Sequence, residues 1–251
     1  MAERVKITVN GNEMKAESGA SLLKVLLDKG YDIPHLCYHE SVAAYGACRL
    51  CIVEVEVKGR KKIATSCNHP VMADMSVALN TDEIMEQRRN LLETMLALAP
   101  DSKYVEEYAA RYGVRETSLK LQEGECVLCG LCERVCTEVL GAGAICFSGR
   151  GGDKEITTPY AELSPTCIGC GSCARVCPTG CIKIVDKGLI RQIAFIHAEH
   201  ELVPCSACGT ATVTKLHAAW LAKKMQLPEE DFYVCDKCKA RRTAHSYANL
   251  T

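Results

Sequence analysis

The first eighty residues alternate between strand-like and helix-like patterns. Apolar and polar residues alternate in RVKITV before an Asn10-Gly11 dipeptide, which predicts a strand and a hairpin turn into a second strand. SGASLLKVLLDKG has leucines at helical spacing, with Gly30 as the expected C-terminal cap. LCIVEVEV and KKIATS predict two further strands about a turn at Lys58-Gly59. A strand pair, a helix, a loop and another strand pair are typical of a β-grasp fold.

The rest of the chain divides by the same criterion. DEIMEQRRNLLETMLALA and SKYVEEYAARY have helical periodicity, residues 122–186 are rich in cysteine and glycine, and VTKLHAAWLAKKM predicts a helix in the tail. We therefore expect an α+β multidomain protein. Its expected parts are a β-grasp domain at 1–80, a helical linker at 81–121, a ferredoxin-like domain at 122–188, and a metal-binding tail at 189–251.

The cysteine content indicates bound metal. The 251 residues include 18 cysteines, many of them two residues apart. MAERVKITVNGNEMKAE has no basic start followed by an apolar run, so we expect no signal peptide. No run approaches the roughly 18 apolar residues of a membrane span. The pattern therefore predicts metal sites rather than disulfides, and a reducing, cytoplasmic compartment.

A four-cysteine ladder occurs twice, as ECVLCGLCERVCTEV at 125–139 and TCIGCGSCARVCPTG at 166–180. Three closely spaced cysteines can hold three corners of a [4Fe–4S] cube, but the same short loop cannot reach the fourth. We therefore expect the fourth cysteine of each ladder to serve the other cluster. One predicted ligand set is Cys126, Cys129, Cys132 and Cys177, and the other is Cys136, Cys167, Cys170 and Cys173.

The two ladders resemble the two-cluster bacterial ferredoxin fold over about 60 residues. The second ladder matches that pattern in full, including Pro178, whereas the first has Thr137 at the corresponding position. The linker of 30 residues between Cys136 and Cys167 is longer than that of minimal ferredoxins. It can be an interaction surface or a plain insertion.

The first unit has the spacing C-x10-C-x2-C-x15-C. With IPHLCYHE, YGACRLCIVEV and TSC, it resembles the N-terminal part of the large peripheral iron–sulfur subunit of respiratory complex I. Matching subunits occur in NAD-linked hydrogenases, formate dehydrogenases and electron-bifurcating transhydrogenases. The resemblance covers about residues 1–186 and implies a [2Fe–2S] cluster. Its implied ligands are Cys37, Cys48, Cys51 and Cys67, for which structural zinc is the alternative.

The helical linker departs from that family. The family carries a further [4Fe–4S] cluster there, with one histidine and three cysteine ligands. Ala99 and Ser102 fall roughly where the histidine and the first cysteine are expected, and residues 70–125 contain neither residue type. We therefore expect that cluster to be absent.

The tail contains two further cysteine pairs separated by 26 residues. Cys205, Cys208, Cys235 and Cys238 predict a tetrahedral zinc-ribbon site, with an iron–sulfur cluster as the alternative. His200 and His217 could bind metal, but four cysteines already complete the site. Cys146 and Cys181 are left over and are predicted to pack as small apolar residues.

The predicted function is electron transfer. One [2Fe–2S] cluster, two [4Fe–4S] clusters and one Zn²⁺ would make the holoprotein more negative than its formal charge of −1, which disfavours a nucleic-acid partner. No nucleotide-binding motif or catalytic site is apparent.

The resemblance implies a subunit of a soluble NAD(P)-linked flavoprotein complex. Its partners would be a flavin- and NAD(P)-binding subunit, a small thioredoxin-like [2Fe–2S] subunit, and ferredoxin or a further catalytic subunit. A free-standing ferredoxin-type carrier is the alternative, and a nucleic-acid-binding zinc ribbon a weaker one.

Overall fold

A computed structural model describes residues 3–162 and 164–248. No helix in these ranges is long and apolar enough to cross a membrane. The chain divides into two compact units, residues 1–131 and 132–251.

The helices are α1 Leu22–Asp28, α2 Asp82–Leu98, α3 Lys103–Ala110, α4 Leu131–Arg134, α5 Ser172–Arg175, α6 Lys215–Met225 and α7 Asp236–Ala248. The strands are β1 Arg4–Val9, β2 Asn12–Glu17, β3 Ile52–Val57, β4 Arg60–Thr65, β5 Met75–Ala78, β6 Cys146–Ser148, β7 Glu155–Thr157, β8 Ile184–Lys187, β9 Ile190–Ile193, β10 Ala198–Pro204 and β11 Ala211–Thr214.

A mixed sheet organises the first unit. Within the described residues its strand order is β2-β1-β5-β3-β4, with β1 and β5 parallel and the other pairs antiparallel. The two predicted hairpins are confirmed as β1–β2 and β3–β4. The central strand β5 was not predicted, because its four residues, MSVA, are too few for a clear alternation.

The core of the first unit lies between this sheet and α1. Leu22, Leu23 and Leu26 are fully buried and belong to one apolar cluster with the inward-facing residues of β1, β3 and β5. The helix ends at the predicted glycine, since Gly30 has a φ of +81°, a left-handed conformation that side chains disfavour. The predicted β-grasp arrangement is thus present, with its helix packed on one face of the sheet.

The helical segment belongs to the same unit, and both of its predicted helices are confirmed. Thr81 caps α2 by accepting a hydrogen bond from the Ile84 N–H at 3.3 Å. The chain after α3 returns along α2, where the Gln122 N–H donates to the Ala97 carbonyl at 3.2 Å. Residues 81–122 are therefore folded against their own neighbours rather than extended.

The second unit contains a four-stranded antiparallel sheet in its described part, in the order β11-β10-β9-β8. Strands β8 and β9 form a hairpin that turns at Gly188 and Leu189. The predicted division of the chain at 188–189 stays a prediction. The predicted tail helix is confirmed as α6, but it begins only at Lys215, because Thr214 caps it by accepting from the His217 N–H at 3.1 Å. The Trp220 indole N–H donates to the Leu140 carbonyl at 2.9 Å, so α6 packs against the segment that follows the first ladder.

Candidate metal centres

The four cysteines predicted to bind the [2Fe–2S] cluster are all buried, with between 1% and 8% of their surface exposed. Two of them lie on either side of the β3–β4 hairpin. Cys51 directly precedes β3, and Cys67 lies in the short 3-10 turn after β4. Ser66 connects the two ends, because its N–H and its hydroxyl both donate to the Cys51 carbonyl, at 3.0 and 2.8 Å. The sheet therefore determines where these two sulfurs lie.

The thiols of this site come in two adjacent pairs. The Sγ atoms of Cys37 and Cys48 are 3.4 Å apart. The hydrogen bond between the two thiols lowers the pKa of Cys37 to about 6, and the same bond raises the pKa of Cys48. The second pair behaves alike, since a hydrogen bond from Cys67 lowers the pKa of Cys51 to about 7. Two close pairs of sulfurs suit a two-iron cluster, in which each iron takes two thiolates.

Backbone amides surround the first pair. The Cys48 N–H donates to Cys37 Sγ at 3.4 Å, and the Leu36 N–H donates to Cys48 Sγ at 3.5 Å. Gly46 allows the loop to close in this way, because its φ is +71° and a Cβ there would lie 3.0 Å from the Asn68 amide nitrogen. Amide dipoles directed at sulfur stabilise thiolate, which is the form that binds iron.

The linker positions that lack the family's ligands have structural roles instead. Ala99 is fully buried at the end of α2. Ser102 is the N-cap of α3, where its hydroxyl accepts from the Val105 N–H at 3.4 Å. The segment thus closes with a helix cap where the family has a cluster ligand.

In the second unit, four predicted ligands line one small cavity. Cys136 from the first ladder faces it together with Cys167, Cys170 and Cys173 from the second. The other lining residues are mostly apolar and include Ile193 from β9 and Ile196 just after it. The crossover of Cys136 to the second ladder therefore agrees with the geometry, and an apolar shell suits a cluster shielded from water.

Burial favours the protonated form of three of the thiols around this cavity. Burial raises the pKa values of Cys136 and Cys167, and that of Cys173 to about 12. Backbone donors oppose this effect, among them the Ala144 N–H, which donates to Cys136 Sγ at 3.3 Å. Because thiolates bind metal, cluster insertion would release these protons. The residues present fit a [4Fe–4S] cluster in ligand number, donor chemistry and shielding.

A glycine in this ligand loop permits close packing by its neighbours. A Cβ on Gly169 would lie 2.6 Å from the ring of His200 and 2.8 Å from the methyl group of Thr214. The Thr214 hydroxyl donates to the Ile168 carbonyl at 2.5 Å. Strand β10 and the β11–α6 junction therefore pack directly on the loop that carries the second ladder.

The other predicted cube has ligands in both compact units. Cys126 and Cys129 fall in the first, and Cys132 and Cys177 in the second. This ligand set stays a prediction. The leftover Cys181 is half-buried, with its Sγ 3.5 Å from that of Cys177, and Cys146 is half-buried on β6.

The four tail cysteines come together as a compact group. Their sulfurs all lie within 4.8 Å of one another, although the two pairs are far apart in sequence. Cys205 directly follows β10, Cys208 lies in the tight turn to β11, and Cys235 and Cys238 lie at the start of α7. The Cys235 N–H donates to Cys205 Sγ at 3.3 Å and is the main cause of a pKa of about 6 for Cys205. Four sulfurs at this spacing suit a tetrahedral metal ion.

Three residues near these sites were not singled out from the sequence for their positions. His200 packs on the second ladder, Cys181 contacts a predicted ligand, and Arg88 of α2 is buried beside the first site. The sequence marked His200 only as a possible metal ligand. Arg88 is a charged residue at a position of α2 where helical periodicity predicts an apolar one. That mismatch is the one signal in the sequence that could have identified Arg88.

Comparison with known protein families gives two matches. Residues 2–82 match the family described as "2Fe-2S iron-sulfur cluster binding domain", and residues 166–183 match "4Fe-4S binding domain". The chain therefore contains both kinds of iron–sulfur domain.

Curated relatives include two oxidoreductase subunits. The NADP-reducing hydrogenase subunit HndD of Solidesulfovibrio fructosivorans is 30% identical over 209 residues, covering 70% of this chain and 35% of the relative. The NADH-ubiquinone oxidoreductase 75 kDa subunit of Reclinomonas americana is 30% identical over 205 residues, covering 71% of this chain and 29% of the relative. The chain spans about a third of the length of these relatives. The resemblance inferred from the sequence is confirmed, since these proteins are homologues.

A solved structure shares the fold. The crystal structure of an NAD⁺-reducing [NiFe]-hydrogenase in the H₂-reduced state contains a chain that is 21% identical, with a TM-score of 0.54. The similarity covers 89% of this chain and 99% of that one. At this level of identity the comparison supports only a shared fold.

Proposed function

We propose that this chain is an electron-transfer subunit that relays electrons through iron–sulfur clusters within a multisubunit NAD(P)-linked oxidoreductase. The observation that carries the proposal is a pair of separate four-cysteine sites. One lies at the edge of the β-grasp core, and the other surrounds an apolar cavity in the second unit. Two homologous subunits of NADH- and NADP-linked enzymes support the same conclusion.

Bound clusters would supply one-electron redox chemistry, and the chain's own residues would control where and how readily it occurs. In the first unit, Cys37 and Cys48 would hold one iron, and Cys51 and Cys67 the other. In the second unit, Cys136, Cys167, Cys170 and Cys173 would hold a cube. Buried side chains exclude water from both sites, and backbone N–H groups directed at sulfur favour the thiolate form of the ligands.

The finer assignments extend this proposal. A second cube would use Cys126, Cys129, Cys132 and Cys177, and the tail cysteines would hold Zn²⁺. We propose a flavin- and NAD(P)-binding subunit and a small thioredoxin-like [2Fe–2S] subunit as partners in the cytoplasm, with ferredoxin or another catalytic subunit completing the complex. Electron bifurcation is one reaction that such a complex could perform.

Metal analysis of anaerobically purified protein tests the cluster assignment. We expect about ten iron atoms with matching acid-labile sulfide, and about one zinc, per chain. Electron paramagnetic resonance (EPR) of the reduced protein should show both a [2Fe–2S] and [4Fe–4S] signals. Cys51→Ser should abolish the first signal only, whereas Cys170→Ser should remove one [4Fe–4S] signal. A colourless, iron-free protein would contradict the proposal.

Purification from its native cells tests the role as a subunit. We expect a stable complex with a flavoprotein, and NADH or NADPH should reduce the clusters only when that flavoprotein is present. The isolated chain should show no such reduction. A chain that purifies alone and exchanges electrons with several enzymes would instead be a free-standing carrier.

A further inference from the structure

Arg88 is the largest fully buried side chain at the interface of α2 with the sheet. Only 1% of its surface is exposed. Its guanidinium donates to the carbonyls of Leu50 at 3.2 Å and Ile52 at 2.8 Å, and to the Asn80 side-chain oxygen at 2.7 Å. All three acceptors are neutral. A buried cation therefore depends on neutral dipoles for its direct hydrogen bonds.

No carboxylate forms an ion pair with Arg88 in the described part of the chain. The groups close enough to act on it electrostatically include Tyr112, Cys51, Tyr108 and Asp32. Burial raises the pKa values of both tyrosines, so these phenols are neutral at physiological pH. Asp32 is solvent-exposed and contributes least. The remaining group is Cys51, which is a thiolate when it binds metal.

The two backbone carbonyls that Arg88 holds flank this cysteine on both sides. The Cys51 carbonyl between them accepts from Ser66. Three consecutive carbonyls, of residues 50, 51 and 52, each accept a hydrogen bond from a donor of the protein. Just before them, Arg49 has a φ of +59°, so the segment begins in a left-handed conformation.

We propose that Arg88 is a positioning residue of the first site, which holds the Cys51 segment and supplies the buried positive charge that favours the reduced [2Fe–2S] cluster. The inference rests on the proposed function, because it requires that cluster at Cys37, Cys48, Cys51 and Cys67. Reduction adds one electron from an external reductant and makes or breaks no bond, so the site becomes one unit more negative. A buried cation stabilises the more negative state more strongly.

Redox titration of the holoprotein, followed by the [2Fe–2S] EPR signal, tests the inference. Arg88→Gln removes the charge and keeps polar contacts, and Arg88→Lys keeps the charge but cannot span both carbonyls. The matched control is Arg89→Gln, because Arg89 is the exposed neighbour on the same helix. We expect Arg88→Gln to lower the equilibrium constant for reduction about tenfold, a midpoint about 59 mV more negative. Arg88→Lys should stay near the wild-type midpoint with altered g-values, and Arg89→Gln should change neither.

The outcomes separate this inference from the proposed function. A midpoint in Arg88→Gln equal to that of Arg89→Gln would overturn the inference and leave the function standing. A wild-type protein without a [2Fe–2S] signal would overturn both. If Arg88→Gln loses two irons per chain and Arg88→Lys retains them, the requirement for charge is supported. If both variants lose them and unfold alike, Arg88 serves packing only and the inference fails.

Discussion

The cysteine sites of the first unit and of the tail differ in what surrounds them. Cys51 and Cys67 belong to an apolar cluster that also contains α1 and the sheet of the first unit. The tail site has a much smaller buried cluster, made of Cys205, Val234 and Cys238 with Cys235 packed beside it. Its fourth cysteine, Cys208, is exposed. The site of the first unit lies beside a large apolar core, whereas at the tail site the cysteines themselves make up most of the buried cluster.

This difference determines which part supports the other. In the first unit, burial of leucines and valines stabilises the sheet, and the sheet places the ligands. In the tail, too little apolar surface is buried near the cysteines to hold the two pairs together, so the metal must contribute folding free energy. Metal removal should therefore leave the first unit folded and disorder the region around the tail site.

The largest expected effect comes from removing a tail ligand. Cys238→Ser should lose one zinc per chain, and structural zinc contributes on the order of 10–16 kcal/mol in small zinc-binding peptides. Amide hydrogen exchange should show lost protection at the Cys205–Gly209 turn and the first turn of α7. Cys67→Ser should lose two irons while β1 to β5 stay protected, and Cys146→Ser, outside every ligand set, serves as the control. Equal unfolding in Cys238→Ser and Cys67→Ser would contradict the proposed difference between the two sites.

A smaller effect is expected from the core of the first unit. Leu23→Ala deletes a fully buried side chain of α1 and should lower the free energy of unfolding by about 2–5 kcal/mol, because it leaves a cavity. Denaturant unfolding followed by circular dichroism measures this change, and zinc content should be unaffected. Leu119→Ala, at an exposed position of the same unit, should stay within about 0.5 kcal/mol of the wild type. A loss of zinc in Leu23→Ala would contradict the independence of the two sites.

The smallest effect concerns the capping of α2. Thr81→Ala removes the hydrogen bond to the Ile84 N–H and should cost about 1 kcal/mol in the first unit, without changing its iron content. Thr94→Ala is the matched control, because its hydroxyl bonds only to the Asn90 carbonyl of the same helix. The same unfolding measurement compares the two. Loss of iron in Thr81→Ala would contradict this prediction, because it would show that the ligand positions depend on the capping of α2.

Local patterns predicted much of the fold. The β1–β2 and β3–β4 hairpins, α1 with its terminal glycine, and the two helices of the linker all follow from periodicity and turn residues, which act over a few positions. The short strand β5 and the sheet that spans residues 184–214 did not follow. Their pairing depends on contacts between distant segments, which leave no repeated pattern in a short strand.

The candidate sites divide in the same way. Cysteine spacing and resemblance grouped cysteines that lie near one another in the described structure, among them Cys136 and the second ladder. Their assignment as ligands stays a prediction. The residues that surround these groups were not predictable. Arg88 is separated from Cys51 by 36 residues, and His200 from Gly169 by 30, so their proximity follows only from the packing of helix and strands on the ligand loops.

The sequence by itself determined which sulfurs could share a metal, because ligand number and spacing are local properties that a short loop either satisfies or does not. Only the tertiary structure decided which residues surround and support each site. It buried one group in a β-grasp core beside a buried arginine, enclosed another in an apolar cavity, and left the tail group with little more than its own cysteines. Burial and electrostatic environment depend on which distant residues meet, and that follows from packing of the whole unit.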